Sequence, residues 1–268
     1  MTGGAASAPA DGAPKATPRY EALLSYTPAP DALQGRVIAI TGAAAGIGRA
    51  VAVAAAAHGA ELIALDRNRP ALDALKAELE GRGTRIEIVA MDFDTATLVD
   101  YRKFAESVGD AHGRLDALVN NAGHIVELSP FEFIEPSVFT QVLATNLVAP
   151  FFLTQWCVPL LRKAPDPALV FSLHRAQRAF WGAYGVAKAG QEALLHILAD
   201  EYHLAGASPM RVVGVDPGPV STAERHQHYP GERRDAHPAP EAVVGPYLYA
   251  LGPDARGLTD LVLRSAKA

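Results

Sequence analysis

The stretch Val37-Ile38-Ala39-Ile40-Thr41-Gly42-Ala43-Ala44-Ala45-Gly46-Ile47-Gly48 decides how this chain folds. Its first four residues are an unbroken apolar run bounded by Gly35 and Gly42, as expected of a strand buried on both faces. An Ala-rich helix, Arg49 to His58, follows and stops at Gly59. Glycines between a strand and a helix let the backbone approach a pyrophosphate, whose charge then meets the helix N-terminus. A second strand, Glu61 to Leu65, runs into Asp66, and an acidic residue in that place strengthens a dinucleotide reading.

The same alternation continues outward. Further strands are expected at Ile86 to Met91, Leu115 to Val119, Ala168 to Phe171 and Arg211 to Val215. Helices are expected at Pro70 to Glu80, opened by its proline, at Leu98 to Ala111, at Phe139 to Leu161 with breaks near the prolines, and at Tyr184 to His203. Apolar strands alternating with helices predict an α/β fold: a Rossmann-type three-layer αβα sandwich around a parallel, doubly wound sheet. Residues 1–18 are rich in Ala and Pro and read as a flexible tail, because they cannot bury enough surface to offset ordering. Residues 19–268 read as a single domain, with Tyr20, Leu23, Leu24 and Tyr26 as anchors at its start. Residues 223–240, rich in His, Arg, Pro and Glu, form a connection long enough to be a substrate lid.

Composition narrows the function classes. The chain has 268 residues, 49 % of them hydrophobic and 20 % charged, which is globular and not disordered. A net charge of −5 argues against nucleic-acid binding. One cysteine, Cys157, excludes an internal disulfide and a cysteine metal cage, and is expected to be buried packing. The N-terminus lacks a charged region followed by a long apolar run, so no signal peptide is expected and the cytoplasm is the expected compartment. Pro136 to Leu161 carries no charge, but Gln141, Asn146, Gln155, Pro150 and Pro159 favour a buried or subunit-facing helix over a membrane span.

The glycine spacing Thr41-Gly42…Gly46-Ile47-Gly48 resembles the TGxxxGxG signature of the short-chain dehydrogenase/reductase family. Asn120-Asn121-Ala122-Gly123 is similar to that family's NNAG, and Tyr184-Gly185-Val186-Ala187-Lys188 to its YxxxK. Asn146 lies where the family keeps a helix asparagine, and Pro217-Gly218-Pro219-Val220-Ser221-Thr222 resembles its PGxxxT. The matches fall in order over residues 36–222. The resemblance implies an NAD(P)-dependent oxidoreductase that interconverts an alcohol and a ketone or aldehyde. It places Thr41, Gly42, Ala45, Gly46, Ile47, Gly48, Asn120, Ala122, Gly123, Pro217, Gly218, Val220 and Thr222 at the cofactor. It also implies a homodimer or homotetramer packed through the uncharged helices, with Lys188 on the ribose hydroxyls.

The chemistry has a physical rationale. Tyr184 and Lys188 are four residues apart and share one helix face. A free tyrosine, with a pKa near ~10, is a poor base at neutral pH. A neighbouring ammonium and a positive nicotinamide ring favour the phenolate. Tyr184 can then exchange a proton with the substrate oxygen while hydride moves to or from the cofactor.

Here the chain departs from the family pattern, which places a serine just after the fifth strand to hold the substrate oxygen. Counting back from Tyr184 picks out Ser172; counting forward from the strand picks out His174. An imidazolium at His174 would carry a signature near pH ~6.5, its unperturbed pKa. The disturbed region also leaves open a cofactor-binding regulatory or structural protein with impaired catalysis.

Asp66 accepts hydrogen bonds from ribose hydroxyls and repels a 2′-phosphate, and Ala45 is not basic, so NAD is expected over NADP. Arg67 argues the other way. Asp92, with Phe93 after it, resembles the family's adenine-contacting aspartate or serves as a cap. His226, His228 and His237 read as solvated lid residues and no metal is expected; Arg175 and Arg178 read as surface arginines or as contacts for an anionic substrate.

Overall fold

The computed structural model describes residues 17–203 and 209–268, so the expected tail lies almost wholly outside the described residues. A short helix, α1 (Tyr20–Leu23), packs its Tyr20 and Leu23 inward. Then come β1 (Val37–Thr41), α2 (Gly46–Ala57), β2 (Glu61–Asp66), α3 (Arg69–Glu80), β3 (Ile86–Ala90), α4 (Leu98–His112) and β4 (Ala117–Asn120). The second half has α5 (Pro136–Leu143), α6 (Ala149–Leu161), β5 (Ala168–Ser172), α7 (Gly182–Tyr202), β6 (Arg211–Asp216), α8 (Ala223–His228), α9 (Gly245–Leu251) and β7 (Leu261–Arg264). The strands form one parallel sheet in the order β3-β2-β1-β4-β5-β6-β7. This is the expected doubly wound architecture, with a seventh strand that the sequence reading did not include.

Period-two alternation along β1 builds the two cores. Ile38 and Ile40 face the layer of α2, α3 and α9, beside Val51, Leu72 and Tyr247. Val37 and Ala39 face the layer of α4, α6 and α7, beside Tyr101, Leu153 and Leu195. The sheet reverses its winding between β1 and β4, and ligands of such sheets bind beyond the strand ends at that point.

Several boundaries differ from expectation. Helix α2 begins at Gly46, directly on the glycine turn, and β5 runs on to include Ser172. Residues 136–161 form one rod, and the irregularity expected near its prolines is a π turn, Ala144–Val148. Pro150 explains it: lacking an N–H, it cannot serve the carbonyl of Asn146 four residues before it. By length and composition this rod could cross a membrane, but Val142, Leu153, Cys157 and Leu161 are packed inside the domain.

Candidate active site

The strand ends converge on a cleft of about 620 Å³. One bank is Gly42, Ala45, Gly46 and Ile47; the other is Pro217, Gly218, Val220 and Thr222. Gly42 has a φ of +67°, and a Cβ on Gly48 would lie 2.1 Å from the Gly42 carbonyl oxygen. Only glycine lets the chain turn so tightly and leave the first N–H groups of α2 open to an anion. Beneath this turn, Thr41 Oγ1 accepts the N–H groups of Asn121 and Ala122, each at 2.9 Å. Asn121 Nδ2 in turn donates to the Thr41 carbonyl at 3.0 Å. Thr41 and Gly48 therefore shape the floor of the cleft without lining it.

Asp66 stands at the cleft's corner, its Oδ2 accepting the Ala44 N–H at 3.1 Å and its Oδ1 the Asn68 N–H at 2.9 Å. Arg67 is turned to Asp94, Nη1 to Oδ2 3.2 Å, and Asp94 is also held by Thr145 and Gln141. Asp92 and Phe93 line an adjoining hollow with Asp66 and Gly123. Asn120 differs from expectation: it is buried and its Nδ2 donates to Thr154 Oγ1 at 3.0 Å, away from the cleft. Strand alternation sends Asn120 into the core and leaves its neighbour Asn121 at the cleft.

The groups proposed for chemistry meet at the far end. The Tyr184 hydroxyl lies 3.4 Å from Nδ1 of His174. Lys188, one helical turn on, donates from Nζ to the Ser172 carbonyl at 2.9 Å and to Oε1 of Gln191 at 3.0 Å. Asn146 is fully buried in the π turn; its Nδ2 donates to the His124 carbonyl at 2.7 Å and its Oδ1 accepts the His124 N–H at 3.1 Å. Gly123 passes between these groups, for a Cβ there would meet Asn146 Oδ1 at 3.1 Å and Lys188 Nζ at 3.7 Å. Ser172 also lines the cleft, its Oγ donating to Oδ1 of Asn121 at 3.0 Å and lying 2.9 Å from the Tyr247 hydroxyl.

Burial reverses the expected electrostatics. It pushes the Tyr184 phenol well above its ordinary range, and the carboxylates of Glu224 and Asp216 add to this. The expected phenolate draws on Lys188 and on a positive nicotinamide ring together; the protein by itself keeps a neutral phenol, a proton donor. Burial lowers Lys188 to about 8, against the opposing pull of Glu224 and Asp216. Burial, helped by Lys188, Arg178 and Arg225, brings His174 to about 4, so it is a neutral imidazole at working pH and not the imidazolium donor considered above.

The 223–240 segment contains α8 and is strapped to itself. Arg225 grips Glu232 with two contacts, 2.6 and 2.8 Å, and His237 adds a third at 2.7 Å. His226 bonds Ser221 at 3.0 Å. Glu224 spans the cleft: one carboxylate oxygen accepts the Ile125 N–H at 3.1 Å and lies 3.3 Å from Nδ1 of His124. Sequence reasoning missed Asn121, Gln191, His124, Tyr247 and Glu224. Gln191 carried a signal, since it follows Lys188 by three residues on one helix face; Glu224 carried none.

Comparison with known proteins agrees with this geometry. The profile of the short chain dehydrogenase family matches residues 36–233. An Escherichia coli K12 protein named as the uncharacterized oxidoreductase YciK is 34% identical over 242 residues, 89% of this chain and 94% of its own. A short chain dehydrogenase of Pseudomonas syringae superposes with a TM-score of 0.86 at 39% identity, covering 90% of this chain and 98% of that one. Another, from Escherichia coli CFT073 and solved in complex with NADPH, has a TM-score of 0.84 at 34% identity, covering 88% of this chain and 99% of its own.

Proposed function

This chain belongs to the short-chain dehydrogenase/reductase family and is an NAD(P)-dependent oxidoreductase acting on CH–OH groups; on that premise we propose that it interconverts an alcohol and a ketone or aldehyde, with Tyr184 as the acid/base. The observation that carries the reading is the Tyr184 hydroxyl, which faces the cleft beside His174 and one turn from Lys188.

The residues present suit a nicotinamide dinucleotide. The glycine turn leaves no room for a Cβ at Gly48, and the start of α2 offers unpaired N–H groups to a pyrophosphate. Asp66 would meet the adenosine ribose, Asp92 and Phe93 the adenine, and Lys188 the second ribose; Thr222, Val220 and Pro217 would flank the nicotinamide end. When bound, the nicotinamide supplies or accepts the hydride. Asp66, fixed by two backbone donors, favours a cofactor without a 2′-phosphate, so we read NAD(H) as preferred, although a structural relative was solved with NADPH.

The protein's own groups manage the proton. In the reducing direction the carbonyl oxygen lies against Tyr184 and His174, and Tyr184 gives up its phenolic proton as the alcohol forms. In the oxidising direction the alcohol proton returns to the Tyr184 oxygen. His174 takes the place of the family serine, its neutral imidazole N–H donating to the substrate oxygen. Lys188 favours the phenolate stage by charge, and Asn146 holds the backbone at His124 so that the site keeps its shape. With His174 in that place, the disturbed serine region no longer argues for a protein without catalysis. The expected setting remains a cytoplasmic, small-molecule enzyme that works as a homo-oligomer.

Tyr184→Phe tests the reading, because it removes only the hydroxyl. Turnover of a carbonyl panel, followed by nicotinamide absorbance, should be abolished while cofactor binding is nearly unchanged. A near-normal rate in that variant excludes the proposed proton transfer.

A further inference from the structure

The surface beside Tyr184 stays apolar beyond the reach of the reacting groups. The Trp181 ring stands 4.9 Å from that of His174, 5.6 Å from Tyr184 and 6.5 Å from Tyr229, centroid to centroid. With Ile125 and Val142 it belongs to a small apolar cluster separate from the two main cores. One residue earlier, Phe180 holds its side chain out in solvent, 59% exposed, on a backbone with φ of +71°. An aromatic residue in the left-handed region is strained and persists only where its surroundings enforce it.

Two contacts tie a second segment to this place. The Phe180 carbonyl accepts the Ser129 N–H at 3.1 Å, and Gly182 lies so close to Ile134 that a Cβ would overlap its Cδ1. Residues 129–134 therefore run alongside 180–182 and bring Phe131 and Phe133, 85% and 66% exposed, to the same rim. Glu127, Glu132 and Glu135 flank them in sequence, so this side of the rim is acidic. Arg178 is laid over Trp181, 4.5 Å from the ring centroid, and closes the apolar wall on that side.

Resting on the activity proposed above, we infer that the substrate is a neutral lipophilic carbonyl compound, or its alcohol, whose apolar body lies over Trp181 and along Phe180 to Phe131 and Phe133. Its oxygen reaches Tyr184 and His174 while its tail covers rim surface of a kind that soluble proteins seldom leave in water. The three glutamates of the 127–135 segment disfavour a carboxylate or phosphate at the tail end.

The test uses the full chain with oxidised nicotinamide dinucleotide and a series of 2-alkanones, a complex that binds but does not react. Quenching of tryptophan fluorescence reports binding. Affinity should rise on the order of two- to four-fold per added methylene between 2-butanone and 2-undecanone. Phe180→Asn, a residue that accepts the left-handed backbone, combined with Phe131→Ser should flatten this dependence; Val99→Ser, an exposed apolar site on α4, should leave it. No dependence on length, or tighter binding of a ketone ending in a carboxylate, overturns the inference. A changed oligomeric mass with an unchanged length dependence overturns it too, because the rim is then a contact between copies. Turnover with reduced cofactor is scored separately: length-dependent binding without reduction sustains the lipophilic site and removes the catalytic reading.

Discussion

His174 directs Nδ1 to the Tyr184 hydroxyl at 3.4 Å, whereas Ser172, which lines the same cleft, engages its hydroxyl with Tyr247 and Asn121. The cause is strand parity. Ser172 ends β5 on the face it shares with Val170, which packs in the same core as Tyr247 on α9. Beyond Ser172 the chain leaves the sheet and brings His174 round to the cleft. The spacing match selects Ser172, whose hydroxyl is already engaged by Asn121 and Tyr247, and the strand count selects His174, which lies at the Tyr184 hydroxyl.

The substitution pair follows from this placement. His174→Ala should lower the rate by roughly 10²–10³, the scale of one lost transition-state hydrogen bond. Ser172→Ala should leave the rate nearly intact and cost about 1–2 kcal/mol of stability, since its buried hydroxyl joins Asn121 to Tyr247. Steady-state kinetics and denaturant melts of the two variants check this; the reverse order would return the role to Ser172. Because His174 is lowered to about 4, the unfolded chain takes up its proton first as pH falls from about 6.5. Its contribution to stability therefore increases with pH between about 4 and 6.5, and reduction should not fade through neutrality as an imidazolium donor would.

Gln191 is the side-chain hydrogen-bond partner of Lys188 inside the protein. Its Oε1 accepts from Nζ inside the protein, where burial has already lowered the ammonium to about 8. Gln191→Leu removes an acceptor from the charged form. The alkaline limb of the kcat/KM profile should move down by about one pH unit, the size of one hydrogen bond to a charged group. Gln191→Glu should move the limb upward, because a carboxylate acceptor favours the ammonium. A packing role alone would alter stability in both variants and leave the limb where it was.

The fold was legible because β1 and the glycine turn after it combine two constraints, a strand buried on both faces and a backbone too tight for side chains at Gly48. Strand β7 escaped notice since Leu261 and Leu263 alternate with half-exposed Val262 and Arg264 over four residues only, too short to give a period. The ionisation of Tyr184 in the protein by itself was not legible for a different reason. Sequence shows the lysine one turn away but not the burial around the phenol, and burial is the larger effect. The role of Asn121 over Asn120 needed the strand's phase, which a repeated residue type hides.

We propose that Asp66 sets the cofactor choice. Its carboxylate is held by the Ala44 and Asn68 N–H groups, and Arg67, which would otherwise greet a 2′-phosphate, is paired with Asp94. Titration should show tighter binding of NADH than NADPH, and Asp66→Ala should relax the difference. Asp94→Asn frees Arg67 and should improve NADPH binding without the loss of Asp66. Tighter NADPH binding by the unaltered protein, in line with the cofactor found in its relative, overturns the assignment.

The outer face of the 136–161 rod and of α7 predicts assembly. Phe139, Phe151 and Trp156 are 43%, 44% and 38% exposed, and Val186 and Ile197 on α7 are 54% and 60% exposed. Helix α7 packs along α5 and the π turn, so these side chains belong to adjoining helices. Covering them would contribute on the order of 1–2 kcal/mol each, enough together to hold two copies. Sedimentation at micromolar concentration should give a homodimer or homotetramer, and Phe151→Glu with Trp156→Glu should give a folded monomer, as each copy must then bury two carboxylates. Cys157, beside Trp156 but fully buried with its thiol pushed up to about 12, should stay unreactive in both forms. Its silence towards thiol reagents in the monomer shows that the charge substitutions broke the contact and not the core. A monomeric mass for the unaltered chain would leave these helices without a partner and refute the assembly.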